Sequence, residues 1–155
     1  MRRLLPLLVV AVLVSLAMPA VAAPPVSETT VQHDLVENFV ELIPSCEGEG
    51  GDLYDITTTS TLVEHETLFG DGRGHATFTQ TGTFEAEPLD PTGQSASGHF
   101  TSWGGFNLTN STVNGTFTFN LQGEFEDGTR FSIHAVDHFN VIPSGTEFFF
   151  SRCHD

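Results

Sequence analysis

Residues 116–141 read TFTFNLQGEFEDGTRFSIHAVDHFNV, and their spacing decides the fold. Phe117, Phe119, Leu121 and Phe125 alternate with polar residues, and so do Phe131, Ile133, Ala135, Phe139 and Val141. A period of two is the signature of strands with one buried face. Glu126-Asp127-Gly128 separates the two runs. A two-residue loop would set odd positions against even ones and mix polar with apolar faces, as any one-residue slip does. A three-residue loop with Gly128 left-handed restores parity. It places Leu121 opposite Ile133, Phe119 opposite Ala135, Asn120 opposite His134 and Glu124 opposite Arg130, with Asp137 near Phe117.

The same period runs outward through the chain, and no stretch carries a helical stripe. Strands are predicted over Val31–Ile43, Leu53–Phe69, His75–Glu85, Ala96–Phe106, Thr116–Phe125, Arg130–Val141 and Glu147–Arg152. The turn signals are residues 48–51, Gly70-Asp71-Gly72, Asp90-Pro91-Thr92-Gly93, Asn114-Gly115, Asp127-Gly128 and Pro143-Ser144-Gly145. This is an all-β pattern, an antiparallel meander of about seven or eight strands. Closure into a barrel would remove its edges. A β-sandwich is the alternative.

The N-terminus is of another kind. Met1-Arg2-Arg3 precedes an apolar run from Leu4 to Ala17, and Ala20-Val21-Ala22 forms a small-x-small cleavage site. That is the order of a secretory signal peptide, residues 1–22, and the apolar run is too short to span a bilayer. Removal leaves residues 23–155, with 23–30 expected as a flexible lead into one β domain, 31–155. The expected location is outside the cell, with no membrane attachment after cleavage.

The mature part holds all 20 carboxylates, three Arg (Arg73, Arg130, Arg152) and no Lys, a net charge of −17. Such a surface repels nucleic acid and anionic membranes and favours solubility or basic partners. Cys46 and Cys153 form an even pair in an exported chain and read as a disulfide joining the two ends of the domain. Closing a loop of about 107 residues is worth on the order of 4–5 kcal/mol in the chain-entropy model.

Several residues invite chemistry. His134 and His138 would chelate a metal on a helix, but on a strand they stand about 13 Å apart. Glu64-His65-Glu66 alternates, so His65 faces away from both glutamates, towards the side of His75, and no metal site or cofactor is assigned. Asp137 stands in an apolar register, as do Gln80 and Ser102. A carboxylate there needs partners or a shifted pKa. Together the three suggest a polar patch inside a Phe-lined interior, the make-up of a small-ligand pocket. Trp103-Gly104-Gly105 interrupts the strand pattern. Paired glycines there suggest a bulge or barrel corner under a packed Trp, and Trp103 is also a candidate for stacking on a ligand. Asn107, Asn110 and Asn114 are formal N-glycosylation acceptors. No serine-nucleophile elbow, zinc-protease motif, phosphate loop or dinucleotide fingerprint occurs in the sequence.

Residues 81–139 resemble a group of small secreted actinobacterial β proteins without assigned activity. The residues that carry the resemblance are Thr81-Gly82-Thr83-Phe84, Trp103-Gly104-Gly105-Phe106-Asn107, Asn114 to Phe119, Asp127-Gly128, His134 to Asn140, and the later Arg152-Cys153. The style of strand and glycine is also similar to barrels of the allene oxide cyclase and dirigent type. The resemblance implies export and a barrel, and it transfers no catalytic residue.

The leading functional expectation is a non-catalytic, secreted binding module for a small apolar or amphipathic ligand, held among phenylalanines and contacted by Asp137, Gln80, Ser102 and Trp103. One alternative is an isomerase- or cyclase-type enzyme using Asp137. Another is an acidic protein that meets its partners through its surface. Oligomeric state is left open.

Overall fold

The computed structural model describes residues 24–43, 51–109, 111–142 and 147–154, the last of these as backbone only. Residues 1–22, expected as a signal peptide, together with Cys46, Asn110 and the expected turns at 48–50 and 143–145, lie outside the described residues. Seven strands form one antiparallel sheet in chain order: β1 (Val26–Ile43), β2 (Asp52–Leu68), β3 (Gly74–Pro88), β4 (Ala96–Thr109), β5 (Thr112–Phe125), β6 (Arg130–Val141) and β7 (Glu147–His154). One sheet rather than two rules out the sandwich. Each strand pairs with its sequence neighbours, and no β1–β7 pairing closes the sheet among the described residues.

The β5–β6 hairpin has the expected register: Leu121 faces Ile133, Phe119 faces Ala135, Asn120 faces His134, Glu124 faces Arg130 and Phe117 faces Asp137. Gly128 turns at φ 84°. The Phe125 amide donates to the Thr129 carbonyl at 2.9 Å, so the loop is the three residues 126–128. The β2–β3 turn repeats the device, with Gly72 at φ 85° and the Phe69 amide donating to the Arg73 carbonyl at 2.8 Å. In both turns an aspartate accepts an amide two residues on, Thr129 N to Asp127 and Arg73 N to Asp71. These amide bonds hold both carboxyls below the usual aspartate range. The support they give is therefore present above that range and lost as pH falls through the depressed values.

Other expectations are corrected. β1 begins at Val26, so most of the expected flexible lead 23–30 is strand. β4 and β5 pair without interruption from Ala96–Phe125 to Thr109–Thr112. Trp103-Gly104-Gly105 is therefore no bulge or corner. Asn114-Gly115 is no turn either, because the chain has already reversed between the paired Thr109 and Thr112, where Ser111 has φ 89°. The register shift that does exist lies in β1, between Gln32 and Leu35, where Asp34 takes φ 55°.

The core lies on one face of the curled sheet. Ile43, Tyr54, Ile56, Phe84, Ala86, Ala96, Phe100, Leu121 and Ile133 are buried there, with Phe119, Phe125 and Phe131 packed against them. One rung of this inner face runs Thr58, Phe84, Gly98, Gly123, Phe131. The Phe84 ring, 2% exposed, lies over both glycines and meets Phe131 at 6.4 Å between centroids, three strands away. A second rung, Glu66, Ala76, Phe106, Gly115, Phe139, repeats this, with Phe106 and Phe139 rings 5.5 Å apart over Gly115. Glycine is required where a ring must lie against backbone.

A methyl at Gly123 would stand 2.5 Å from Phe131 and 2.8 Å from Phe84. A methyl at Gly105, on the other face, meets nothing nearer than the Ala76 carbonyl at 3.3 Å. Gly123→Ala is expected to cost about 2 kcal/mol or more by overpacking, and Gly105→Ala less than about 1 kcal/mol. Urea unfolding of the two variants beside the wild type checks this; equal midpoints would contradict the packing described.

Candidate functional site

Alternation divides the expected site residues between two faces. Gln80, Ser102 and Asp137 point inward and Trp103 points outward, because Trp103 is one residue from the inward Ser102. Gln80 and Ser102 are register partners. Gln80 is committed elsewhere: its Nε2 donates to Glu37 at 2.7 Å and to Ser60 Oγ at 2.9 Å. Asp137 lies two strands from Ser102, opposite Phe117 on one side and Ser151 of β7 on the other. Its Oδ1 is buried with no hydrogen-bond partner among the described residues, as is Thr58 Oγ1. The expected inner patch is therefore two separate places, and Trp103 belongs to neither.

The inner face also carries Glu64 and Glu66, set on the same side of β2 by the two-residue period. Desolvation, and secondarily the Glu66 charge, raise the Glu64 carboxyl above the usual glutamate range. Beside Glu66, Ala76 and Phe106 the free space is about 30 Å³, which is water-sized.

The outer face of β3–β6 is different. Successive rungs read Thr83, His99, Gln122, Ser132; then Thr81, Thr101, Asn120, His134; then Thr79, Trp103, Thr118, Val136; then Thr77, Gly105, Thr116, His138; then His75, Asn107, Asn114, Asn140. These five rungs hold no Asp, Glu, Lys or Arg, in a chain that carries 20 carboxylates. The side chains fix one another. His75 is 2.9 Å from Asn107 Oδ1, Thr116 Oγ1 is 2.7 Å from His138 Nδ1, and His134 bonds Asn120. Asn107 Nδ2 donates to Asn114 at 3.4 Å.

Gly105 has no side chain to fill its place in this layer, and a groove of about 280 Å³ opens there. Asn107, Asn114, Thr116, His138 and Asn140 line it. Trp103 stands beside Gly105 on the same face of β4, 40% exposed. Sequence reasoning named Trp103 and missed the groove. The signal that would have found it is parity: Trp103, Gly105 and Asn107 share a face, and the β5 and β6 registers bring Asn114, Thr116, His138 and Asn140 alongside.

His65 and His75 are also on the outer face, but His65 bonds Thr29 Oγ1 at 2.8 Å while His75 bonds Asn107. Among the described residues no three His, Cys, Asp or Glu side chains converge as metal ligands.

Glu64 carries a penalty that grows as pH rises from the ordinary glutamate value through its raised value. Glu64→Gln is therefore expected to raise the thermal midpoint at neutral pH and to lose that advantage in acid, where the wild-type carboxyl is neutral in both states. Thermal scans across pH read this, and a gain that persisted in acid would contradict it.

No protein-family model matches this chain, and no curated protein or solved structure matches it either, so the chemistry of its two faces alone carries the functional reading.

Proposed function

We propose that this protein is an exported, non-catalytic binding module that takes its ligand on the outer face of β4–β6. The observation that carries the reading is the groove over Gly105, with the exposed Trp103 at its side. Its polar side chains are already hydrogen-bonded to one another, so binding would demand little ordering. Asp137, the carboxylate that an enzymatic reading relies on, belongs to the opposite face. Export follows from the leader-like residues 1–22 and agrees with the resemblance of residues 81–139 to secreted proteins.

The proposal includes a closed, disulfide-bonded domain. Six successive antiparallel pairings leave β1 and β7 running in the same direction. Cys46 follows the end of β1 by three residues, and Cys153 is next to last in β7. Closure would cover the inner-facing Phe39, which is 46% exposed on the unpaired β1 side. Across the rungs Cys153 lies level with Gln32, so closure joins the edges with the stagger that tilted barrel strands need.

A second reading keeps a small apolar or amphipathic ligand on the inner face, and the unpartnered Asp137 Oδ1 favours it. Native mass spectrometry of residues 23–155, purified from the culture medium of the host, separates the two readings. The outer-face reading expects an apo mass, and the unreduced denatured sample light by one hydrogen per cysteine. An added apolar or amphipathic molecule that departs on denaturation would transfer the site to the interior, and two free thiols would remove the disulfide.

A further inference from the structure

Resting on the outer-face reading, we infer that the ligand class is a neutral glycan, bound along β4 from Trp103 to Asn107. Three features converge on that class. The first is charge. A chain with this excess of carboxylates has kept five consecutive rungs of one face, across β3–β6, free of every Asp, Glu, Lys and Arg. A cation or basic partner would be drawn to the acidic parts of the surface, and within these rungs of β3–β6 an anion meets no Arg or Lys, Arg130 lying one rung beyond them and Arg152 of β7 pairing with Val136 at their border. A neutral polar ligand loses nothing on such a face.

The second feature is the type of polar group. Asn and Thr each offer both a donor and an acceptor, which is what a sugar hydroxyl also offers. Asn107, Asn114, Thr116 and Asn140 bring four such groups to one groove, with Asn107 held by His75, Thr116 by His138 and Asn114 by Asn107. The third is shape. Trp103 is 40% exposed on this face, between its small rung neighbours Thr79 and Thr118. The apolar C–H face of a pyranose stacks on such a ring, while its equatorial hydroxyls reach sideways to side-chain amides. Gly105 then gives the next ring a floor without a side chain. The five-residue run from Trp103 to Asn107 measures about 13 Å, longer than one sugar ring, so an oligosaccharide should bind better than a monosaccharide.

The adjacent glycines divide the work. Gly104 faces inward, and a methyl there would stand 2.8 Å from Phe117. Gly105 faces outward, where a larger side chain would grow into the groove. Gly105→Val is therefore a plug on a strand position that tolerates β-branching.

Calorimetric titration of the mature protein tests the proposal. The probes are neutral β-glucan, mannan, xylan and N-acetylated chitin oligosaccharides of increasing length, and a basic peptide and heparin serve as charged comparators. The single tryptophan gives a parallel fluorescence signal. Binding to one neutral series is expected, rising with chain length and unchanged by added salt. Trp103→Ala and Gly105→Val should each weaken it about ten-fold or more, Trp103→Phe should retain most of it, and Asp137→Asn all of it. Urea midpoints of the variants distinguish a lost site from a lost fold. Failure of every neutral glycan overturns the ligand class. If a charged comparator then quenches Trp103, the outer site survives with another ligand. Glycan binding that Trp103→Ala and Gly105→Val leave intact overturns the site as well.

Discussion

Phe84 lies across Gly98 and Gly123 to touch Phe131, and the remaining structure depends on that contact. A sheet whose inner face held a side chain at every position could not curl so tightly, because the rungs would crowd. Alternating a phenylalanine with a bare backbone lets one ring serve two or three strands. The same trade recurs with Phe106 over Gly115. The inner surface is thereby filled with few residues, and apolar burial there drives the fold.

Filling the inner face this way frees the outer one. In an antiparallel sheet one face packs and the other meets water, and each residue's face follows from its position in the register. Here the outer face of β3–β6 is a layer of mainly Thr, Asn, Gln and His, some of them hydrogen-bonded to one another, with Trp103 standing among them. Most carboxylates of the described residues instead occupy β1, β2 and the turns, apart from Asp137 inside, Glu85, Glu87 and Glu124 at one end of the central strands, and Glu147 at the start of β7. Charge supplies solubility in one region, and a neutral surface is left in another.

Much of this was legible in the sequence. Period-two alternation gave the seven strands, and the demand that both faces agree gave the β5–β6 register and the left-handed Gly128. What was not legible were features set by contacts distant in sequence. Asn114-Gly115 has the local chemistry of a turn, but Phe106 and Phe139 hold it in mid-strand. Gly104-Gly105 looks like a break in the chain, but one glycine admits the packing of Phe117 and the other opens a groove. The bulge in β1 has no local glycine to announce it; Asp34 takes the left-handed backbone itself. The candidate site was half legible. Asp137, Gln80 and Ser102 were correctly placed in the inward register, yet their separation across the sheet depends on three strand registers at once. Trp103 was grouped with them although its neighbour's parity places it outside.

The central claim is that the inner face makes the fold and the outer face makes the site. The most direct test is a nuclear magnetic resonance titration of isotopically labelled mature protein with a neutral oligosaccharide, following the indole signal of Trp103 and the side-chain amides. Shifts at Trp103, Asn107, Asn114 and Asn140, with the Gln80 amide and the Phe84 and Phe117 rings unmoved, are the expected result. Shifts centred on Gln80, Phe117 and Asp137 would place the ligand inside the sheet and contradict the account.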